Sequence, residues 1–225
     1  MALGLGYGNR FSITFRLVDL QCSDGAEVFE SLCWGCTRKG RIMIHIFAIS
    51  GSLRAKSSNT TLLRAAAKLA SSRAMSITIY SALGELPHFN PDLEGTEPPS
   101  VIKFRDELLN CDGVLISSPE YAHGVPGVLK NALDWIVGSG ELVDKPVALL
   151  NASPRSTYAQ ASLRETVTVM SGRLVEEASV TVHLLGKNMN ETDIVSDQDM
   201  SSILGASLEA FANAIRVLSI ERQKV

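Results

Sequence analysis

The feature that most limits the fold of this chain is a regular alternation of short apolar runs with longer amphipathic stretches. The first run, IMIHIFAIS at 42–50, has the length and the β-branched residues of a buried strand. Further runs of this kind follow at 75–81, 113–117, 145–153 and 178–185. Parallel strands need crossover connections, and a helix is the usual one. We therefore predict an α/β domain, with a doubly wound five-stranded parallel sheet and helices on both faces.

The amphipathic stretches between these runs predict the helices. Apolar residues recur at helical spacing at 59–72, 100–111, 125–137, 158–172 and 199–222. Asn59 or Thr60 can cap the first helix, Ser100 stands near the start of the second, and Gly172 is expected to end the fourth. The apolar side of the second helix is predicted to consist of Ile102, Leu108 and Leu109. Periodicity leaves the strand order open between 2-1-3-4-5 and other doubly wound arrangements.

The pattern begins only at Ile42, and the preceding residues show no sustained period of a helix or a strand. Met43 stands at the head of the first strand. We therefore expect residues 1–41 to be an N-terminal extension that is disordered or dispensable, followed by one domain at 42–225. With 225 residues, of which 45% are hydrophobic, the chain can bury one core of ordinary size.

Composition argues against several classes of partner. A formal net charge of -3 provides no basic surface for a phosphate backbone, so nucleic acid is not expected as a partner. No uninterrupted apolar run approaches the roughly 20 residues that cross a bilayer, and the first residues lack the order of a secretory signal. We expect a cytoplasmic protein that does not bind membranes.

The cysteines give no convincing metal or redox site. Cys33 and Cys36 have C-x-x-C spacing, but a zinc site needs about four ligands and only Cys22 and His45 lie near in sequence. The pair also lies in a stretch without periodicity, whereas a thioredoxin-like motif follows a strand and opens a helix. We expect no metal ligands, and Cys111 is interpreted as a small buried side chain.

Three polar loops follow the first, third and fourth strands, so they should meet at one edge of the sheet, where open α/β proteins bind ligands. The first, SGSLRAKSSN at 50–59, leads into a helix whose N-terminus favours anions. Its short donors and its guanidinium suit a phosphate. The loop is neither a P-loop nor a dinucleotide fingerprint. The alternative is that its serines only cap the helix and contact solvent.

The second loop, at 118–124, combines a stiff backbone with the flat rings of Tyr121 and His123, which suits a planar ligand. The alternative is a structural turn with Tyr121 packed inward and His123 in solvent. Glu120 could be a surface charge, a partner for an arginine of the first loop, or part of a subunit contact. In the helix that follows, Lys130 and Asn131 could anchor the loop or contact a partner chain.

Together these two loops resemble the NAD(P)H-dependent FMN reductase family, flavodoxin-like flavoproteins that include quinone, chromate and azo-dye reductases. GSLRAKSSN is similar to the family's flavin-phosphate loop, and PEYAHGVPGVLKNALDW is similar to its isoalloxazine loop and the following helix. The resemblance extends over about 43–222. It implies the flavodoxin-like strand order 2-1-3-4-5 and FMN as the cofactor.

The resemblance also implies a set of cofactor-binding residues. The phosphate of FMN would be bound by Ser52, Arg54, Ser58 and Asn59. The flavin ring would be lined by Pro119, Glu120, Tyr121, Ala122, His123 and Gly124. A third wall would consist of Ser153, Arg155 and Ser156. The chain departs from the family at Ala122, where many relatives have asparagine, and in SPRSTY, where many have a glycine-rich loop.

By this resemblance the protein is an FMN-dependent oxidoreductase that takes a hydride from NADPH or NADH and reduces a small acceptor such as a quinone, chromate, an azo compound or free flavin. The chemistry would occur at N5 of FMN, so no catalytic side chain is expected. Arg54 and Arg155 are candidates for binding the extra phosphate of NADPH. A homodimer or homotetramer is implied, with the helix that contains Trp135 as the candidate contact. The alternatives are a flavodoxin-type electron carrier and a scaffold protein that has lost the cofactor.

Overall fold

The structure is a computed structural model that describes residues 43–222. The predicted extension at 1–41 and the Cys33 to Cys36 pair lie outside the described residues. In chain order the elements are β1 (Ile44–Ser50), α1 (Ser58–Ala70), β2 (Met75–Tyr80), α2 (Pro99–Leu109), β3 (Gly113–Ser117), α3 (Gly127–Asp134), β4 (Pro146–Leu149), α4 (Thr157–Val169), β5 (Arg173–Leu174), α5 (Glu191–Ser196) and α6 (Gln198–Arg222).

The five strands form one parallel sheet in the order β2-β1-β3-β4-β5. This confirms the flavodoxin-like order that the family resemblance implied. Every residue of β3 and β4 is buried, as expected for strands covered on both faces. One core lies under α1, α5 and α6, and the other lies under α2, α3 and α4. The loops after β1, β3 and β4 therefore leave the sheet at the same edge.

Helix α6 is 25 residues long and has a mean hydropathy of 1.4 over its most apolar stretch, so by length and composition alone it could cross a membrane. One side of the helix packs in the core through Leu204, Leu208 and Phe211, whereas Ile203, Val217 and Ile220 are exposed. A Cβ on Gly113 would lie 2.9 Å from both Phe211 and Ile215, so α6 presses directly on the start of β3. We conclude that the buried apolar residues of α6 serve the packing of this domain.

The predicted apolar face of α2 is partly wrong. Val101, Phe104 and Leu108 are fully buried, whereas Ile102 is 48% exposed and Leu109 is 60% exposed. Residues three and four positions apart share one helix face. The face that is buried is therefore the one that contains Phe104, and not the one that contains Ile102. The helix starts with Pro99 in its first turn and has no side-chain cap, so Ser100 does not cap it.

The predicted ends of two helices are also corrected. Ser57, rather than Asn59 or Thr60, caps α1, because its hydroxyl accepts a hydrogen bond from the Thr60 N–H at 3.3 Å. Helix α4 ends at Val169, and the left-handed residue that follows it is Ser171, with a φ of +59°, and not Gly172. Gly172 is needed for space instead, since a Cβ there would lie 2.8 Å from a methyl group of Val167.

The fifth strand differs from its predicted range of 178–185. β5 comprises only Arg173–Leu174, and a short 3-10 turn at Glu176–Ala178 interrupts the edge of the sheet. The chain then returns to the edge, where Asn151 bridges Thr181 in parallel. A strand of two residues is too short to show the alternation of apolar and polar residues. The sequence therefore predicted only the later segment of this edge, which contains Thr181.

Candidate functional site

The loops after β1, β3 and β4 are joined to one another at the edge of the sheet. The N–H of Gly51 donates to the Ser117 carbonyl at 2.8 Å, which links the first loop to the end of β3. The Glu120 carboxylate accepts from the Ala159 N–H at 2.9 Å, which links the second loop to α4. The structure therefore brings the three predicted groups of site residues to one edge.

The first loop is shaped by its own hydroxyl groups. Ser52 Oγ accepts from the Arg54 N–H at 3.3 Å, and Ser50 Oγ lies 2.7 Å from Thr60 Oγ1. These local bonds keep the loop close to the first turn of α1. Arg54 and Ser58 are exposed and Ser52 is partly exposed, so all three can reach a ligand.

Asn59 has an internal role that was not predicted. It is buried, and its Oδ1 accepts a hydrogen bond from Ser117 Oγ at 3.0 Å. The bond joins the first turn of α1 to the last residue of β3. Asn59 therefore contributes to the spacing between the first and second loops, in addition to any contact with a ligand.

The donor set of the first loop fits a phosphate group. Within the described residues, the backbone N–H groups of Ser58 and Asn59 have no hydrogen-bond partner, and they stand at the positive end of α1. The guanidinium of Arg54 and the hydroxyl of Ser58 are exposed beside them. Backbone N–H groups, a hydroxyl and an arginine are the donors that phosphate sites use.

Positive charge extends from this loop along the flank of α1. A groove of about 570 Å³ beside the loop is lined by Lys56, Arg64 and Lys187, with Glu191 as its acidic residue. Glu191 already pairs with Lys68 at 3.6 Å. The surface next to the phosphate loop is therefore cationic, and such a field attracts anionic ligands.

The second loop forms a tight turn. Tyr121 and Gly124 exchange two backbone hydrogen bonds of 3.1 and 3.0 Å, while Ala122 and His123 have φ values of +48° and +61°. This is the geometry of a type I′ turn, which normally takes Asn or Gly at its central positions. Tyr121 is 57% exposed, so the inward-packed tyrosine considered from the sequence is wrong.

Replacing Ala122 with asparagine is expected to raise the free energy of unfolding by about 0.5–1 kcal/mol, because asparagine tolerates the left-handed conformation better than alanine. Urea unfolding measures the change. Ala161→Asn, at an exposed position inside α4, should instead lower the free energy of unfolding, because alanine is the better helix former. A loss of stability in Ala122→Asn would contradict the strained turn.

Glu120 acts on the neighbouring helix rather than on an arginine. The N–H of Ala159 belongs to the first turn of α4, so the carboxylate sits at the positive end of that helix and satisfies one of its free donors. Helix α4 has no cap from its own preceding residue, Ser156. The pairing with Arg54 considered from the sequence is not observed among the ion pairs of the described residues.

We expect Glu120→Ala to lower the free energy of unfolding by about 1–2 kcal/mol, the usual effect of losing a helix cap. Glu120→Gln keeps an acceptor oxygen and should lose less than half of that amount. Thermal or urea unfolding tests both variants against Glu165→Ala, an exposed carboxylate elsewhere on α4. Equal stability of Glu120→Ala and Glu165→Ala would show that the contact contributes nothing.

Two side chains that were not predicted to matter flank the third loop, Asn151 before it and Tyr158 in the first turn of α4. Asn151 Oδ1 accepts from the Ser153 N–H at 3.0 Å and shapes the start of the loop. The ring of Tyr158 stacks on His123, with centroids 4.3 Å apart. Of the predicted residues, Arg155 is exposed and Ser156 is buried. The only feature of the sequence that could have indicated a role for Tyr158 was its position directly after SPRST.

The helix after the second loop anchors a different loop from the one expected. The side chain of Asn131 accepts from the Phe89 N–H at 2.8 Å and donates to the Pro87 carbonyl at 2.9 Å. Trp135 donates to the same carbonyl at 2.8 Å and is buried. Lys130 pairs with Asp134 on the outer side of the helix. Asn131 and Trp135 thus hold the β2 to α2 connection against α3.

Comparison with known proteins places the chain in a family. The model of the NADPH-dependent FMN reductase family matches residues 44–185. An NADPH:quinone oxidoreductase of Arabidopsis thaliana is 43% identical over 113 residues, which are 48% of this chain and 58% of that protein. The chain aligns with only 58–60% of the length of this and two other curated quinone reductases.

Two other relatives match over nearly their whole length. An NAD(P)H-dependent FMN reductase of Pseudomonas aeruginosa is 30% identical over 181 residues, covering 78% of this chain and 97% of that protein. The solved flavoenzyme NAD(P)H:(acceptor) oxidoreductase of Paracoccus denitrificans is 29% identical, with a TM-score of 0.65 over 77% of this chain and 97% of that one. By its matched residues and its fold, the chain belongs to the NADPH-dependent FMN reductase family.

Proposed function

We propose that the protein is an FMN-dependent oxidoreductase that transfers electrons from NAD(P)H to a small acceptor. The main supporting observation is the meeting of a phosphate-type donor loop and a stiff type I′ turn at one edge of the sheet. The family match agrees with this function. The matched family consists of reductases, so the flavodoxin-type electron carrier considered from the sequence is not supported.

Each loop would bind one part of FMN. The N-terminus of α1, with Ser52, Arg54 and Ser58, would hold the phosphate. The backbone of the turn at 119–124 would contact the edge of the flavin ring, and the loop at 153–156 would close the third side. When bound, FMN supplies the electron transfer between NAD(P)H and the acceptor. The residues of the chain would bind and orient the cofactor.

Arg155 is the first candidate for the extra phosphate of NADPH, and Arg54, which is also assigned to the FMN phosphate, is the second. Both are exposed on loops at the site edge, and a guanidinium matches the geometry of a phosphate. The cationic groove with Lys56 and Arg64 would attract either nicotinamide cofactor.

A quinone is the first acceptor to test, since several relatives are quinone reductases. We place the enzyme in the cytoplasm, as a homodimer or homotetramer.

The visible spectrum of the purified protein tests this function directly. We expect an oxidised flavin band that bleaches when NADPH is added without oxygen and returns when a quinone is supplied. A band that neither NADPH nor NADH bleaches would contradict the reductase. A protein without a band, even after FMN is supplied, would instead be a scaffold that has lost the cofactor.

We further propose that residues 1–41 are dispensable for folding and for FMN binding. A chain that begins at Met43 retains all the strands and helices of the described fold. It is expected to have the same urea midpoint and FMN affinity as the full chain. A shorter chain that fails to fold would overturn this proposal.

A further inference from the structure

The rings of Tyr158 and His123 stack across the gap between the second and third loops. Their centroids are 4.3 Å apart and their planes are inclined by 40°. Both residues are exposed, and 57% of Tyr158 is accessible to solvent. Neither residue belongs to the buried clusters of the core. The pair is therefore a surface feature of the site edge and does not contribute to the packing of the sheet.

Hydrogen bonds hold the backbone near both members of this pair. The two hydrogen bonds between Tyr121 and Gly124 define the turn that contains His123. The bond from the Ala159 N–H to Glu120 holds the residue next to Tyr158 against the second loop. Such a surface needs little ordering when a ligand binds, so little of the binding energy is lost to conformational entropy.

The exposed faces of the pair suit a third planar ring. Aromatic rings attract one another in offset or tilted stacks, and large flat side chains with few rotatable bonds are effective contact groups. Tyr121, two residues before His123, is exposed as well and extends the aromatic surface. A compact, highly hydrated ion has no flat face and gains nothing from this surface.

We propose that Tyr158, stacked on His123, makes the site select flat aromatic acceptors over compact ones. The inference rests on the proposed function, because the acceptor must approach FMN bound between the same loops. It concerns one residue in the first turn of α4, at the end of the segment SPRSTY, which departs from the glycine-rich loop of many relatives. Tyr158 is thus a determinant of acceptor specificity.

Steady-state kinetics of the flavin-loaded protein test this role with two acceptors, 1,4-naphthoquinone and ferricyanide. Tyr158→Ser is expected to lower the ratio of kcat/KM for the quinone to that for ferricyanide about tenfold, as for loss of a stacking contact of about 1.4 kcal/mol. The loss should appear in KM for the quinone. Tyr158→Phe should keep the ratio, and so should Val169→Ser, an exposed apolar residue at the far end of α4.

Two measurements without turnover complete the test. Binding of anthraquinone-2-sulfonate to the oxidised protein should weaken about tenfold in Tyr158→Ser. The NMR signals of the His123 ring should shift when the neighbouring tyrosine ring is removed. A ratio that stays within twofold, or His123 signals that do not move, would overturn the role of Tyr158. If NADPH bleaches the flavin band, such a result contradicts the acceptor proposal alone; if it does not, the proposed function itself fails.

Discussion

Replacing Gly51 with valine is expected to weaken FMN binding by at least about 100-fold, a loss of the size that follows when site groups move by about 1 Å. A Cβ at this position would lie 2.6 Å from Ser118 Oγ and 3.0 Å from the Leu129 side chain. Ser118 is fully buried, so it cannot turn away into solvent. The added methyl groups would therefore push the first and second loops apart.

A fluorescence titration of the flavin-free protein with FMN measures this loss, because bound flavin and free flavin differ in emission. Gly51→Ala should show a smaller loss in the same direction. Gly127→Ala is the matched control, since a Cβ at Gly127 would have no neighbour within 4 Å. Circular dichroism separates a loss of binding from a loss of folding. An unchanged FMN affinity in folded Gly51→Val would show that the loop spacing is not critical.

Replacing Lys145 with methionine is expected to lower the free energy of unfolding by about 1–3 kcal/mol, as when a buried donor is removed and its carbonyl acceptors lose their partner. The ammonium group of Lys145 is buried and donates to the carbonyls of Leu108 and of Cys111, the latter at 3.1 Å. It thereby caps the negative C-terminal end of α2. Methionine fills similar space and makes none of these bonds.

Urea unfolding of Lys145→Met measures the loss. Lys103→Met, an exposed lysine on α2, should stay within about 0.5 kcal/mol of the natural chain. Burial lowers the pKa of the Lys145 ammonium and raises the pKa of the adjacent Cys111 thiol. A loss below 1 kcal/mol would contradict the capping role.

Local sequence patterns were reliable where burial is nearly complete. The range predicted for β3 from its apolar run is the observed one, Gly113–Ser117, and Cys111 is buried as expected. The patterns failed where an element is short, or where more than one face of a helix could be the buried one. β5 has two residues and no period, and in α2 only packing against the sheet distinguishes Phe104 from Ile102.

The candidate site shows the same division. The composition of the first loop predicted phosphate chemistry, and the exposed Arg54 and Ser58 agree with it. The partner of Glu120 could not be predicted, because Ala159 lies 39 residues away in the chain. The stack of His123 on Tyr158 likewise joins residues that only the sheet order brings together.

By itself, the sequence determined the parallel α/β class, the family and which polar residues the loops carry, because these depend on residue types and on spacing along the chain. Tertiary structure alone decided that Glu120 caps α4, that Asn59 binds the end of β3 and that Tyr158 stacks at the site edge. Such contacts depend on distances across the sheet. A linear pattern does not contain those distances until the strands have found their order.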